Sequence, residues 1–204
     1  MNRWLLTGLY AAPGVLLGVV GWTHPPHLTP AYAHHWFVMH LVGLFVVPLI
    51  GVALVLLMRG RRDPLAVLVV VAAYVFAVAY SALDVISGVG NAYITDELGP
   101  GVSRPEAVRL GFQIGTRVGD VGAWALFAAA VLLGADAVRR RGAAALPATV
   151  LLLVGSWFLR TQHIFPPWGA LSCVAIGLGT GWLAWLAASS AHSPGRPLRH
   201  TTGE

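Results

Sequence analysis

Six long apolar runs, separated by shorter polar segments, organise the chain. They lie at about 4–22, 35–58, 64–90, 118–138, 144–162 and 168–189. Each run has roughly the 20 residues that a helix needs to cross the hydrocarbon core of a bilayer. The apolar positions are continuous and do not alternate with polar ones, which argues against the strands of a membrane β-barrel. The pattern predicts an all-α integral membrane protein, a six-transmembrane-helix bundle that forms a single domain over residues 1–190.

Two polar segments are longer than the other connections. Residues 91–117 are expected to form an outer loop, in which Ser103 and Glu106 have the spacing of a helix capping box. A helix is expected to begin near Arg104 and either to lie on the outer surface or to run into the fourth span. Residues 191–204 are polar and contain prolines, so we expect a disordered cytoplasmic tail.

Composition supports the membrane assignment and argues against a nucleic-acid partner. The chain is 57% hydrophobic and only 10% charged, and its mean hydropathy is +0.73. All 13 basic side chains are arginines, and they cluster at the ends of the apolar runs, as topology signals do. The lipid bilayer is therefore the expected partner.

The arginines also predict which way the bundle faces. With a cytoplasmic amino terminus, nine arginines fall on the inner side and four on the outer side. Arg104, Arg109, Arg117 and Arg160 are the outer four. We expect both termini to be cytoplasmic and the protein to be a multi-pass component of the cell membrane.

Histidines are concentrated on the predicted outer side. Residues 23–40 contain five of the eight, and a sixth lies between the last two spans. Neutral imidazole is the commonest protein ligand for transition metals, and a metal site needs three or four converging donors. The predicted metal-binding donors are His24, His27, His35, His40 and His163. The expected cofactor is copper, iron or zinc, or a haem with His40 and His163 as axial ligands.

Other polar residues lie near the same depth of the predicted bundle. Asp84 is placed within the third span at about the level of His40, and Tyr80 lies one turn deeper; both are candidate catalytic residues. Asp120 and Arg160 are candidate cofactor-binding residues. An alternative for Asp84 is an ion pair with Arg160 or Arg117. All interior ionisable groups are expected toward the outer third of the membrane.

Two further patterns indicate helix packing and membrane boundaries. Gly14 and Gly18, and likewise Gly177 and Gly181, have the spacing that lets two helices approach closely, either within this bundle or in a dimer. The tryptophans at the ends of the runs are interpreted as an aromatic belt at the membrane surface. These are Trp22, Trp36 and Trp168.

The sequence leaves three functions open. The first is a membrane protein with a metal or haem site on its extracytoplasmic face, such as an oxidoreductase acting on a small molecule or lipid. The second is a proton- or cation-translocating transporter subunit that uses Asp84 and His40. The third is an accessory or scaffold subunit of a membrane complex. For all three, the protein partner is expected to be a second copy in a homo-dimer or a larger membrane complex. No nucleotide-binding glycine loop, serine nucleophile elbow or HExxH zinc motif occurs, so whether the protein is an enzyme is undecided.

Overall fold

The computed structural model describes residues 2–101 and 105–191, and these are almost entirely helical. The helices are α1 (Arg3–Gly21), α2 (Ala33–Leu57), α3 (Pro64–Leu83), α4 (Asn91–Leu98), α5 (Glu106–Arg141), α6 (Leu146–Gln162) and α7 (Trp168–Ala191). A π-helical segment, Asp84–Gly90, joins α3 to α4 without a break. No strand occurs in the described ranges, which confirms the predicted helical class.

Five helical stretches among the described residues are long and apolar enough to cross a membrane. One of them, Glu106–Gln162, contains both α5 and α6 with a 3₁₀ turn, Gly142–Ala145, between them. Trp124 and Phe127 of α5 contact Trp157 of α6, so these two helices fold back against each other. The chain is therefore compatible with a multi-pass membrane protein, while the count of six crossings and the cytoplasmic termini stay predictions.

Local sequence explains where the early helices begin. The side chain of Asn2 accepts a hydrogen bond from the Trp4 backbone N–H at 3.0 Å, which caps α1. Asp63 caps α3 by accepting from the Ala66 N–H at 3.2 Å, and Pro64 occupies the first helical position, where a missing N–H costs nothing.

The long helices pack in a closed ring. In order around the ring, α1 contacts α2, α2 contacts α3, α3 contacts α5, α5 contacts α6, α6 contacts α7, and α7 returns to α1. The contact of α1 with α7 depends on glycine: a Cβ atom on Gly14 would lie 2.5 Å from the Cys173 carbonyl oxygen. One on Gly177 would lie 2.6 Å from the Ala11 carbonyl oxygen. The small-residue pairs thus serve packing within this bundle.

Large apolar side chains also cover the outside of the ring. Phe45 is 74% exposed, and Leu5, Val71 and Val150 are more than half exposed. A water-soluble bundle buries such side chains, whereas a bilayer solvates them. The outer surface of the ring is therefore apolar, as its interior is, and such a surface is suited to contact with lipid.

The segment predicted as an outer loop is largely helical. Helix α4 covers Asn91–Leu98, and α5 begins at Glu106 and runs without interruption into the predicted fourth span. With 36 residues, α5 is about 54 Å long and exceeds the thickness of a bilayer core. Ser103 and Arg104, and the predicted tail after Ala191, lie outside the described residues.

The two ends of the bundle carry different chemistry. The end that contains His24, His40 and His163 is here named the histidine end, and the opposite one, with Arg61, Arg139 and Arg140, the arginine end. At the arginine end Asp136 is only 3% exposed.

Asp136 accepts hydrogen bonds from all three arginines of that end. The Nη2 atom of Arg139 lies 2.8 Å from Asp136, and the Nε atom of Arg140 lies 3.0 Å from it. The expectation that all interior ionisable groups lie toward the histidine side was therefore wrong. Asp136 lies one turn before the arginines that end α5, and the positive charges of its arginine partners balance its negative charge.

Candidate functional site

Three of the predicted histidines meet at the histidine end, although they come from three separate parts of the chain. His24 lies in the turn after α1, which is closed by a 3.1 Å hydrogen bond from its own N–H to the Gly21 carbonyl. His40 lies on α2, seven residues after that helix begins. His163 follows the last residue of α6. Closure of the helix ring brings these segments together.

The backbone of His163 has an unusual conformation. Its φ is 51° and its ψ is −138°, a region that favours glycine. Such a conformation costs about 1–3 kcal/mol in a residue with a side chain, and the surrounding structure has to hold it. In return it turns the chain sharply at the end of α6, beside the other two histidines. Strain of this kind concentrates at functional sites.

The three imidazoles are close enough to share one ligand. Each ring offers one nitrogen, and these three nitrogen atoms lie within 4.8 Å of one another. The ring centroid of His24 is 5.3 Å from that of His40 and 6.0 Å from that of His163, and the remaining pair is 6.3 Å apart. His24 and His40 are each 3% exposed. This spacing is compatible with three donors around a single metal ion.

Hydrogen bonds fix which nitrogen is available in two of the rings. The Nδ1 atom of His24 lies 2.7 Å from the Pro25 carbonyl oxygen, and that of His40 lies 2.8 Å from the Trp36 carbonyl oxygen. Because a carbonyl only accepts, each Nδ1 must carry the proton and donate it. The lone pair of each ring is therefore on Nε2. The Nε2 atom of His24 is buried and has no hydrogen-bond partner in the described part of the chain.

The third ring is held by a tyrosine. The hydroxyl oxygen of Tyr80 lies 2.7 Å from Nδ1 of His163, and Tyr80 is 2% exposed. When Nδ1–H donates to this hydroxyl, the lone pair of His163 is also on Nε2. A hydrogen bond to the second ring nitrogen is the usual way in which proteins orient a metal-binding histidine.

Burial keeps His24 and His163, the two histidines of the cluster that lie outside the helices, uncharged. It lowers the pKa of His24 to about 4, an effect to which neighbouring His40 and His35 add and which the Pro25 hydrogen bond opposes. Burial, together with His24 and His40, also holds the pKa of His163 well below its usual value. Both rings are neutral at pH 7, so a metal ion does not have to displace a proton from them.

Aromatic and small residues enclose the cluster. The ring of Phe165 lies 4.3 Å from that of His24, and the ring of Trp36 lies 4.5 Å from it. Trp36 also stacks against His40 at 5.3 Å. On the other side of His40, Gly88 of the π-helical segment leaves room for the imidazole: a Cβ atom there would lie 2.6 Å from the His40 Cβ.

A cavity of about 320 Å³ opens beside the cluster. Its wall includes His40, His163 and Tyr80, together with Asp120 and Arg160. The volume is at the lower end of the range for small-molecule sites, about 300–1,000 Å³. A ligand in this cavity would touch two of the three histidines directly.

A second cavity, of about 30 Å³, is also lined by His40 and Tyr80 and includes Asp84 in its wall. Asp84 is 3% exposed. No ion pair joins Asp84 to Arg160 or Arg117 within the described ranges, so that alternative is not supported. Asp84 thus lines a small cavity that also borders His40 and His163.

Two of the predicted metal ligands lie elsewhere. His27 and His35 are exposed and are not part of the group of converging donors. The Nε2 atom of His35 instead lies 3.0 Å from the Thr23 carbonyl oxygen, where it ties α2 to the preceding turn. The interpretation of Trp36 as a belt residue was wrong, because it is 3% exposed and packs on His24 and His40; Trp22 and Trp168 are more than half exposed.

Sequence reasoning missed the roles of Trp36 and Gly88. Trp36 could have been found, because it lies four residues before His40 and so shares its helical face. Gly88 gave no such signal, since its importance depends on a contact between α2 and the π-helical segment.

The arrangement also bears on the predicted haem. The planes of His40 and His163 differ by only 8°, as two axial ligands could. However, a porphyrin extends sideways in every direction from the iron between its axial ligands. The ring of His24, 5.3 Å and 6.0 Å from the other two, occupies part of that space. The geometry therefore favours a single ion over a haem.

Comparison with known proteins gives no guide to function. No family model matches the chain, and no curated protein or solved structure matches it either. The histidine cluster and its cavity are thus the features from which a function is inferred.

Proposed function

We propose that this multi-pass membrane protein binds one transition metal ion through His24, His40 and His163, with zinc as the first candidate. The observation that carries the proposal is the convergence of three imidazole donors within 4.8 Å of one another, beside a cavity of about 320 Å³. Three histidines leave one coordination position of a tetrahedral ion free. In zinc proteins that is the pattern of catalytic sites, whereas structural sites have four protein ligands.

The donor set limits the choice of metal. Imidazole suits zinc, copper, iron and nickel, whereas magnesium and calcium prefer oxygen. When bound in such a site, zinc supplies Lewis-acid activation of water or of a carbonyl group, and copper or iron would supply oxidation instead. We favour hydrolysis, because three neutral nitrogen ligands and an open position match the catalytic zinc pattern.

Neighbouring residues have distinct roles in this proposal. Tyr80 fixes the ring of His163 through the 2.7 Å hydrogen bond, and the Trp36 carbonyl fixes that of His40 at 2.8 Å. Asp120 and Arg160 both line the cavity, and Arg160 would contact a bound substrate. The substrate is a small molecule or lipid that reaches the cavity from the membrane surface.

We also propose that α1, α2, α3, α5, α6 and α7 each cross the membrane once. Both termini would then be cytoplasmic, and the histidine end would face outward. The clustering of Arg61, Arg139, Arg140 and Arg141 at the opposite end supports this orientation.

Metal analysis tests the proposal directly. The protein would be purified in mild detergent without a histidine tag or chelator, incubated with zinc, desalted and measured by elemental mass spectrometry. We expect about one ion per chain, and none in His40→Ala. His27→Ala is the matched control: it removes a histidine of the same predicted set that is exposed and outside the cluster. Equal metal content in His40→Ala and the wild type would overturn the assignment.

A second candidate function is a proton or cation pathway. It is favoured by one observation: Asp84 is 3% exposed and shares a small cavity with His40, Tyr80 and His163. A buried carboxylate near titratable rings is typical of proton relays in membranes. In this case proteoliposomes would conduct protons, and Asp84→Asn would abolish the flux. Flux that is equal in Asp84→Asn and wild-type vesicles would exclude it.

A further inference from the structure

Arg160 is held in place at the wall of the large cavity. Its guanidinium carbon lies 4.4 Å from the ring centroid of Trp124 and 5.6 Å from that of Trp157. Cation–π contacts of this kind fix a side chain and weakly stabilise its charge, yet they leave its N–H groups without acceptors. The Nε atom of Arg160 is buried and has no hydrogen-bond partner in the described part of the chain.

Among the residues that the structure describes, none that lines the cavity forms an ion pair with this arginine. Asp120 lines the same cavity, but no ion pair joins it to Arg160 in the ranges 2–101 and 105–191. An arginine with a buried, unsatisfied N–H is costly unless a ligand supplies the acceptor. Arginine is also the residue best suited to bind carboxylate and phosphate groups.

The remaining wall describes the rest of the ligand. Leu83, Phe112, Ala123 and Leu159 are apolar and line the cavity together with the histidines. A ligand that fits has an apolar body, an anionic group for Arg160 and a polar group within reach of His40 and His163. The volume of about 320 Å³ admits a short chain and excludes a whole phospholipid.

We infer that the cavity binds a small amphiphile whose single anionic group, a carboxylate or a phosphate, is held by Arg160. The inference deepens the proposed function, since it names the substrate class of the metal site. Binding through Arg160 itself requires no metal. The two claims can therefore fail independently.

The test uses metal-free protein and two probes of equal length, octanoate and octan-1-ol. Titration calorimetry in nonionic micelles, with protein-free micelles as the blank, measures both affinities. One charge-assisted hydrogen bond predicts that the wild type binds octanoate about tenfold more tightly than octan-1-ol. Octyl phosphate, titrated in parallel, identifies which anionic group is preferred.

Two variants give opposite expected outcomes, and a third is their control. Arg160→Gln should remove the preference for octanoate, and Asp120→Asn should strengthen octanoate binding because a like charge is lost. Neither should change the affinity for octan-1-ol. Arg117→Gln, an exposed arginine outside the cavity wall, is the matched control and should behave as the wild type.

The inference is overturned if the wild type does not distinguish octanoate from octan-1-ol, or if Arg160→Gln keeps the preference. Should Arg160→Gln lose the fold, Arg160→Lys preserves the charge and should keep most of the preference. Loss of metal in His24→Ala, whose side chain belongs to the metal cluster but does not line the cavity, with unchanged octanoate binding supports both proposals. If the wild-type protein binds octanoate but never binds metal, the proposed metal-dependent function is wrong and the anion-binding site at Arg160 stands.

Discussion

Gly88→Ala probes the packing that holds His40 in the cluster. In the π-helical segment, Gly88 faces the imidazole so closely that an added Cβ would overlap the ring atoms Cγ and Cδ2 and lie 2.6 Å from the His40 Cβ. The ring cannot easily withdraw, because its Nδ1–H is bonded to the Trp36 carbonyl and its face stacks on Trp36. Either the segment or the ring must move.

The expected size of the effect follows from this contact. Forcing one extra carbon into a packed site costs about 1–3 kcal/mol. Replacing glycine by alanine in a helix returns roughly 0.5–1 kcal/mol through the lower entropy of the unfolded chain. We therefore expect a net loss of about 1–2 kcal/mol in folding free energy. If the ring swings aside instead, zinc affinity should fall at least tenfold, as for other disturbed ligand supports.

Competition with a chromophoric zinc chelator measures affinity, and thermal unfolding of metal-free protein measures stability. Gly8→Ala is the matched control, because Gly8 is also helical but its Cβ would meet no atom within 4 Å. This control should bind zinc as the wild type does and be equally or more stable. Gly88→Ala protein with wild-type stability and wild-type affinity would show that His40 does not pack against this segment.

Three further predictions concern the surroundings of the cluster. Tyr80→Phe removes the partner of His163 and should lower zinc affinity about 10–100-fold, whereas Tyr74→Phe, at a position 67% exposed, should not; equal affinities would refute the role of the hydroxyl. Zinc at 100 times its dissociation constant should stabilise the wild type by about 2.7 kcal/mol, and a chelator should reverse the rise in melting temperature; a melting temperature indifferent to zinc would contradict binding to the folded state. At the arginine end, Asp136→Asn leaves three arginines without their shared carboxylate and should cost roughly 3 kcal/mol in chemical unfolding. Asp63→Asn, which loses a half-exposed ion pair, should cost much less, and similar losses in both variants would contradict a special role for burial.

Hydropathy predicted helices well where one apolar run corresponds to one helix. The structure has α1 at Arg3–Gly21 and α7 at Trp168–Ala191, within two residues of the predicted runs 4–22 and 168–189. It failed at Asn91–Leu98, which was predicted as loop. The start of α5 at Glu106 agrees with the helix predicted from the capping-box spacing to begin near Arg104, and α5 runs into the fourth span as one of the two predicted alternatives had it. Once a helix is nucleated, each further residue adds a hydrogen bond at little cost. In α4, Asp96 and Glu97 are exposed, whereas Asn91 is buried and donates to the Val108 carbonyl oxygen of α5.

From the sequence, the candidate site could be predicted only as a set of possible ligands, without identifying which of them come together. The spacing gave no reason to prefer His24 over His27 as a ligand, because a His-Pro-Pro-His stretch does not reveal which imidazole enters the bundle. The turn after α1 decides it: hydrogen bonds to Val20 and Gly21 carbonyls direct His24 inward and leave His27 exposed. His163 depends on a positive φ at the end of α6, which no sequence pattern announces.

The hydrogen bonds of the cluster favour a metal over a proton pathway as its purpose. His24 and His40 each donate the Nδ1 proton to a backbone carbonyl oxygen, so the Nε2 atom of each ring carries a lone pair. Facing lone pairs cannot hydrogen-bond to each other, and the Nε2 atom of His24 has no donor among the described residues. A single proton would allow a hydrogen bond between two of the rings, and the free nitrogen of the third ring would still have no partner. A metal ion accepts from all three at once, and it also makes the strained backbone of His163 useful, because that turn supplies the third donor.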